Sequence, residues 1–450
     1  MSTKKEFASK IGLIAATVGS AIGLGNVWRF PAETQANGGA AFLLLYIVCV
    51  LILGVPLMLA EFSLGRAGRS DAVGSFLKLA PGKRWWLLGV ISVLTPYLIA
   101  MYYMVVAGWT LEYLVESCTG GLFAGTEGSA AAFTARMEEY VQTDIKPMLY
   151  TIALIAINIV VLLGGVNKGI ERLSNIMMPL LFVILVVMLC VSLSLPDAGA
   201  GVAYFLSPDF SQIDTRTVIN ALGQALFSLS VGMGILVTYA AYYPASTKLG
   251  KTAVTVSLLS VLMAVMMGLI IFPAVTSFGL AGEELQGTTL IFVTLPEVFA
   301  RMPMPQLWAA LFFLLLLVAA LTSTVSICEV PVAMLQDRAR MSRRAAVLTV
   351  MLPLIVFSSL CSLSFGSLAD FTICGKTIFS FLDSLATDIL LPLTAFCTAI
   401  FMGWFAPKGL LRDELTNYGT LHTRWTGVTR FLIRWFAPLA VAMIVLFRYI

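Results

Sequence analysis

Eleven long apolar segments constrain the fold of this chain more than any other feature of its sequence. A helix that crosses the hydrocarbon core of a membrane needs about 20 mostly apolar residues. Charged residues are only 12% of the chain and the mean hydropathy is +0.94, whereas a soluble domain carries about twice that charge. We therefore predict an all-α polytopic membrane protein, with residues 1–450 as one domain. The eleven predicted transmembrane helices are centred near Ile22, Leu51, Ala100, Ile157, Ile184, Leu229, Met263, Leu317, Val356, Leu390 and Val441.

The positions of the basic residues predict the orientation of these helices. Most of the 28 Lys and Arg residues lie in loops on the side of the N-terminus, and such loops face the cytoplasm. An odd number of spans then places the C-terminus outside, in the cell (inner) membrane with the lipid bilayer around it. The net charge of +4 follows from this topology, so it does not indicate a nucleic-acid partner. The predicted outer loops contain Arg136, Lys146, Arg216, Arg301, Lys376 and Arg448.

The first apolar segment contains three glycines within residues 19–26, Gly-Ser-Ala-Ile-Gly-Leu-Gly-Asn. Each glycine weakens a helix by about 1 kcal/mol relative to alanine. Irregular backbone at membrane depth is tolerated where it lines a cavity or is buried in protein. A broken helix whose backbone binds a ligand is one interpretation, and close helix packing through small residues is the other. This segment alone does not decide between them.

A second interrupted helix follows five spans later, where residues 228–234 read Ser-Leu-Ser-Val-Gly-Met-Gly. Five is odd, so helix 6 runs in the opposite direction to helix 1. Corresponding broken helices in two inverted halves indicate a transporter with a binding site at the membrane midplane. We predict a five-plus-five inverted repeat, with repeat one at about 8–195, repeat two at about 216–405 and an extra helix at about 428–448. Two unrelated packing helices remain the alternative.

The sequence contains few of the residue patterns that enzymatic catalysis or metal binding uses. The single histidine, His422, lies in a predicted cytoplasmic loop, and the seven cysteines have no metal-ligand spacing. No pair of catalytic carboxylates is evident, so we do not expect an enzyme.

Glu61, near the inner end of helix 2, is expected to form an ion pair with a nearby basic residue. Tyr103 lies at mid-depth in helix 3 and is a candidate ligand.

Four sequence motifs carry a resemblance to a known family: residues 23–31 (GLGNVWRFP), 54–57 (GVPL) with Glu61, 223–224 (GQ) and 227–230 (FSLS). With these motifs the sequence resembles the neurotransmitter:sodium symporters, particularly the bacterial amino-acid transporters of that family, over nearly its whole length. The resemblance implies an eleven-helix symporter that imports hydrophobic L-amino acids with Na⁺ by alternating access, with a monomer sufficient for transport. A substrate-gated channel or a receptor-like sensor in the same fold is the alternative function.

The resemblance implies a substrate site at the two breaks. The amides of Leu24 and Gly25 and the Tyr103 hydroxyl would bind the substrate carboxylate, at the positive end of a half-helix. Main-chain carbonyls would bind the ammonium group, at Ala21, Phe227, Ser228 and Ser230. The side-chain pocket would consist of Ile99, Phe227, Met233 and Ile327, with Ser323 at its edge. It has no charged residue, and methionine adapts to varied shapes, so we predict substrates from leucine-sized to aromatic.

Two sodium sites are also implied by the resemblance. The second site maps onto the carbonyls of Gly19, Ile22 and Ala319 and the hydroxyls of Thr322 and Ser323. The first site maps onto Ala21, Asn26, Ser228 and Ser260, together with the substrate carboxylate.

The helix-7 positions near the first sodium site are neutral in this chain, which departs from the family. Related chains have an acidic residue in helix 7 or bind chloride there, whereas this chain has Ser260 and Ala264. A weakened first sodium site is therefore expected. Chloride is the alternative, not favoured because Ala264 removes one donor. Its ligands would be Tyr46, Gln224, Ser228 and Ser260.

Gating residues follow from the same resemblance. Arg29 would lie in the outer gate, with Asp370 as its nearest acidic candidate, and Phe227 and Tyr103 would close over the substrate. The inner gate would consist of Lys4, Asp337 and Tyr242. Gly169 and Pro179 match the element of helix 5 that unwinds towards the cytoplasm.

Overall fold

The computed structural model describes residues 6–23, 25–126, 128–280, 287–423 and 425–449, and these are almost entirely helical. A two-residue hairpin, β1 (Thr372–Ile373) antiparallel to β2 (Lys376–Thr377), pairs Thr372 with Thr377. Short helices cover Ala72–Leu79, Ala130–Gln142, Ala198–Leu206, Gly287–Ala300 and Leu410–Leu415. The main helices are α1a (Lys10–Ala21), α1b (Gly25–Ala36), α2 (Ala40–Gly68), α3 (Trp86–Thr119), α4 (Ile145–Leu163), α5 (Val166–Leu193), α6a (Thr215–Ser228), α6b (Ile235–Ala240), α7 (Leu249–Ser277), α8 (Pro305–Arg338), α9 (Arg343–Leu363), α10 (Ile378–Phe405) and α11 (Thr426–Phe447).

The all-α polytopic fold is confirmed. Within the described ranges, nine helices are long and apolar enough to cross a membrane, and α1a with α1b forms a tenth span bent by 55°. We interpret α6a and α6b as the halves of an eleventh span, because neither half, at 14 and 6 residues, can cross alone. The full number of eleven stays a prediction. We call the face that carries Ser9, the N-cap of α1a, the inner face, after the predicted orientation.

Helices 1 and 6 are broken by backbone conformations that an α-helix cannot contain. Ile22 is extended, with φ −88° and ψ 92°. In helix 6, Gly232 and Gly234 have φ of 86° and 65°, and Ser230 shares this left-handed region at 53°. A serine is strained there, but its hydroxyl donates to the Ser20 carbonyl at 2.7 Å. That bond ties one break to the other.

The break in helix 6 is held by a buried carboxyl group on α2. Glu61 is 1% exposed, and its Oε1 accepts a hydrogen bond from the Gly232 amide at 2.7 Å. The expected ion pair at Glu61 is therefore wrong: within the described residues its partner is a backbone amide freed by the broken helix. Helix α6b packs closely against α2, where a β-carbon at Gly65 would overlap the Val237 carbonyl.

Candidate functional site

A narrow cavity lies between the two breaks, with about 340 Å³ of empty space when the solvent at its mouth is included. It is bounded by α1, α3, α6 and α8. All ten described residues of the predicted substrate site line it, while the eleventh, Leu24, lies outside the described residues. The ten are Ala21, Gly25, Ile99, Tyr103, Phe227, Ser228, Ser230, Met233, Ser323 and Ile327. Their proximity is now a structural fact, and their roles as ligands stay predictions.

Two glycines let side chains approach the break in helix 1. A β-carbon at Gly23 would lie 3.0 Å from the Tyr103 hydroxyl oxygen and 3.1 Å from Ser323 Oγ. A β-carbon at Gly25 would overlap the ring of Phe227. The polar end of the cavity thus combines the start of α1b, where helix N–H groups are unsatisfied, with two hydroxyls and an aromatic cover.

The outer cover of the cavity includes a cation above an aromatic ring. Arg29 Cζ lies 5.0 Å from the centroid of Phe227, and Arg29 Nε lies 3.7 Å from Glu33 Oε1. Asp370, the acidic candidate expected for Arg29, is exposed in the turn before β1, and its pairing with Arg29 stays a prediction. Asp383 of α10 shares a hydrogen bond with Tyr102, and Tyr102 lies within electrostatic range of Arg29.

The five residues of the predicted second sodium site lie where α1a meets α8. A β-carbon at Gly19 would lie 3.1 Å from Thr322 Cβ, so glycine allows this close approach. Thr322 Oγ1 donates to the carbonyls of Val318 and Ala319, each at 3.1 Å. Its lone pairs are left for a cation, and Na⁺ is a hard ion that takes oxygen ligands. Ile22 and Ser323, at 0% and 6% exposure, complete the set.

The residues of the predicted first sodium site form one hydrogen-bonded cluster. Asn26 Nδ2 donates to the Ala21 carbonyl at 3.2 Å and to Ser260 Oγ at 3.1 Å, and Ser260 Oγ donates to the Ser228 carbonyl at 3.1 Å. Asn26 Oδ1 is buried without a hydrogen-bond partner among the described residues. A buried, unpaired oxygen is costly, and a cation would satisfy it.

The four predicted chloride ligands surround the same cluster. The Tyr46 hydroxyl donates to Ser228 Oγ at 2.9 Å and also bonds Ser260. Gln224 Nε2 donates to the Gly25 carbonyl at 3.4 Å. Ala264 is fully buried beside them and offers no donor. Chloride binding at these four residues and a weakened first sodium site both stay predictions.

The inner gate is more elaborate than the sequence predicts. Lys4 lies outside the described residues. Asp337 Oδ2 accepts from the Asp71 amide at 2.7 Å. The Tyr242 hydroxyl donates to Glu329 Oε1 at 3.0 Å, and Arg343 donates to both oxygens of Glu329, at 2.9 and 2.6 Å. Glu329 is completely buried.

Sequence reasoning missed several buried acidic residues, among them Glu329 and Glu171. The available signal was a carboxylate inside or beside an apolar span, since such residues are expensive and usually have a role. The sequence did not reveal their partners, which lie on other helices.

Comparisons with known proteins agree with this geometry. The sequence profile of the Sodium:neurotransmitter symporter family matches residues 4–146 and 134–450. The chain is 35% identical to the sodium-dependent transporter YhdH of Bacillus subtilis (strain 168), covering 99% of this chain and 98% of that protein. It is 27% identical to the sodium-dependent serotonin transporter of Drosophila melanogaster, covering 92% and 70%.

A solved structure is similar over the same length. The crystal structure of MhsT in complex with L-phenylalanine superposes with a TM-score of 0.89 at 39% identity, covering 98% of this chain and 99% of that one. Family, fold and relatives together describe a sodium-dependent membrane transporter rather than an enzyme. The chain therefore belongs to the sodium:neurotransmitter symporter family.

Proposed function

We propose that this protein imports hydrophobic L-amino acids with Na⁺ by alternating access. The observation that carries the substrate class is the lining of the cavity between the breaks. None of its described residues is Asp, Glu, Lys, Arg or His. The charges of a free amino acid must therefore be bound by backbone groups and hydroxyls. The likeness to MhsT, crystallised with L-phenylalanine, supports the same class.

The apolar part of the cavity excludes charged side chains on energetic grounds. Ile99, Met233 and Ile327 are 2–4% exposed and offer no polar partner. A charged side chain placed among them would be buried unpaired, which costs several kcal/mol. Methionine at 233 is flexible enough to accommodate different shapes, so the range extends from leucine-sized to aromatic side chains.

Sodium would couple to the substrate through shared residues. Ala21, Asn26 and Ser228 belong to the predicted first sodium site and also line the cavity. Among the described residues, the hydrogen-bond partners of Ser260 are Asn26, Ser228 and Tyr46, and none of them is a carboxylate, so we propose that this is the weaker site. The second site, between α1a and α8, would then supply most of the sodium dependence, with one Na⁺ for each substrate.

Alternating access follows from the placement of the two gates. Arg29 and Phe227 cover the cavity on one side, and the Tyr242–Glu329–Arg343 network closes the other. The two inverted repeats would rearrange around the site between them. We propose a monomer as the working unit, in the cell membrane with the N-terminus inside.

The test is binding of each of the twenty amino acids to purified protein, with and without Na⁺. We expect leucine, phenylalanine and tryptophan to bind in Na⁺ and to lose affinity in its absence. Met233→Leu, which keeps the volume but removes the flexible methionine chain, should weaken tryptophan binding more than leucine binding. Tighter binding of glutamate or lysine than of leucine would contradict the pocket assignment.

A further inference from the structure

Glu171, near the inner end of α5, binds the two residues that directly precede α1a. Its Oε2 accepts from the Ala8 amide at 2.9 Å, and its Oε1 accepts from the Ser9 amide at 3.0 Å and the Ser9 hydroxyl at 2.7 Å. Ser9 Oγ in turn accepts from the Gly12 amide at 2.9 Å and caps α1a. Glu171 is only 4% exposed. One carboxylate thus holds a segment more than 160 residues away in sequence.

The surroundings of this carboxylate are shaped to hold it. A β-carbon at Gly12 would overlap Glu171 Oε1 and Cγ, so only glycine leaves room at that position. A second hydrogen bond joins the same two segments one helical turn earlier, where Asn167 Nδ2 donates to the Glu6 carbonyl at 3.1 Å. No ion pair to Glu171 occurs among the described residues. Its negative charge is stabilised by the amides and by the positive end of α1a.

Both segments that Glu171 joins are weakly tied to the rest of their helices. The inner end of α5, Val166–Glu171, is π-helical and follows Gly165 at φ 72°. Pro179 lies inside α5 and cannot donate to the Asn175 carbonyl. Helix α1a is detached from α1b by the break after Ala21 and the bend of 55°. Either segment can therefore move while the other helices of the bundle stay in place.

We propose that Glu171 is a positioning residue that makes the inner end of α5 and α1a leave the closed arrangement together. This rests on the proposed transport function. Because Gly19 lies in α1a and Ile22 directly follows it, displacement of α1a removes these two predicted ligands of the second sodium site from Ala319, Thr322 and Ser323. The same step exposes that site to the inner face. Glu171 thus links sodium release to the opening of two separate helices.

Hydrogen–deuterium exchange of the intact protein in sodium buffer tests the link. Glu171→Gln keeps the shape but removes the charge and one acceptor. We expect exchange to rise at least about tenfold both at residues 8–12 and at residues 166–178, because hydrogen bonds to charged groups are among the strongest side-chain interactions. Asp144→Asn is the matched control, since Asp144 Oδ1 accepts from the distant Ser367 amide at 2.9 Å on the outer side. It should leave both inner segments unchanged.

Two further variants separate coupling from a local cap. Gly12→Ala raises the helix propensity of α1a, but its β-carbon would displace the Glu171 carboxylate. The proposal therefore predicts faster hydrogen exchange in both segments. Helix propensity alone predicts slower exchange in α1a. Pro179→Ala should slow exchange in α5, and coupling is reciprocal, so α1a should slow too. In the Glu171→Gln background that second effect should vanish.

The outcomes are distinct from those of the transport proposal. If Glu171→Gln speeds hydrogen exchange at residues 8–12 but leaves exchange in α5 unchanged, the coupling is overturned and Glu171 only caps the start of α1a. Equal effects of Pro179→Ala on α1a with and without Glu171 would overturn it as well. If the wild-type protein shows no sodium-dependent amino-acid binding, the transport function fails even where the exchange data support the link between the two segments.

Discussion

Removing the two hydroxyls of the second sodium site should abolish most of the sodium dependence while the protein still folds. Thr322 and Ser323 are 3% and 6% exposed and lie on the face of α8 that meets α1a at Gly19. Thr322→Val conserves the side-chain shape, and Ser323→Ala removes one oxygen. The back-bonds of Thr322 to α8 are neutral, so their loss costs about 0.5–1.5 kcal/mol each at most.

The expected loss of sodium affinity follows from the two oxygens removed. An interaction of a polar group with a charge contributes about 1.5–3 kcal/mol, so two of them contribute about 3–6 kcal/mol if they add. Since about 1.4 kcal/mol is a factor of ten, the sodium affinity should fall by about 10² to 10⁴. Three main-chain carbonyls remain at Gly19, Ile22 and Ala319, and these cannot restore the lost coordination.

The assay is sodium titration of amino-acid binding to the purified double variant. Thr324→Val is the matched control, because Thr324 is fully buried on the same helix and its hydroxyl back-bonds to the Leu321 carbonyl at 3.1 Å. This control should titrate like the wild type. Wild-type sodium affinity in the double variant, or an equal loss in the control, would refute the placement of the site.

Three other predictions concern the ions, the pH and the packing. When chloride is replaced by gluconate, sodium-dependent amino-acid binding should be unchanged. The Hill coefficient for sodium should be near one, because the neutral Ser260 leaves the first sodium site weak. Chloride dependence, or a Hill coefficient near two, would contradict this. The backbone and side-chain hydrogen bonds from Thr217 lower the pKa of the Asp214 carboxyl, so its stabilisation is present above the ordinary Asp pKa and is lost as pH falls through the lowered pKa. The melting temperature of Asp214→Asn should therefore depend less on pH in that acidic window. An unchanged slope of melting temperature against pH would refute the role of Asp214 as the N-cap of α6a. Gly65→Ala should prevent folding, because its β-carbon would overlap a carbonyl of α6b, whereas Gly250→Ala, with no atom within 4 Å, should fold normally; size-exclusion profiles of both variants check this.

The sequence predicted the parts of the site that depend on the backbone. Glycines and a serine at residues 228–234 allow conformations that end a helix, and such interruptions can be read directly from an apolar segment. The cavity forms where two of these interruptions meet, and the residues of its lining were expected from the resemblance to the symporter family. Ile99, Tyr103, Ser323 and Ile327 could be added because the resemblance extends over whole helices.

Partners of charged groups could not be predicted in the same way. The contacts of Glu61 and Glu171 are backbone amides on distant segments, and no pattern in the sequence marks an amide as unsatisfied. Arg29 illustrates the same difficulty, because its carboxylate neighbour in this structure is Glu33, one helical turn away, whereas the sequence pointed to Asp370, whose pairing with Arg29 stays a prediction. Ion pairs depend on how helices rotate against one another, which side-chain packing decides.

Uptake of a radiolabelled amino acid into proteoliposomes containing the purified protein tests the central claim most directly. An inward sodium gradient should drive leucine or phenylalanine to accumulate above its external concentration, with saturable kinetics, and accumulation should stop when the gradient is dissipated. Flux that needs no sodium and does not saturate would contradict coupled symport and would indicate a channel in the same fold.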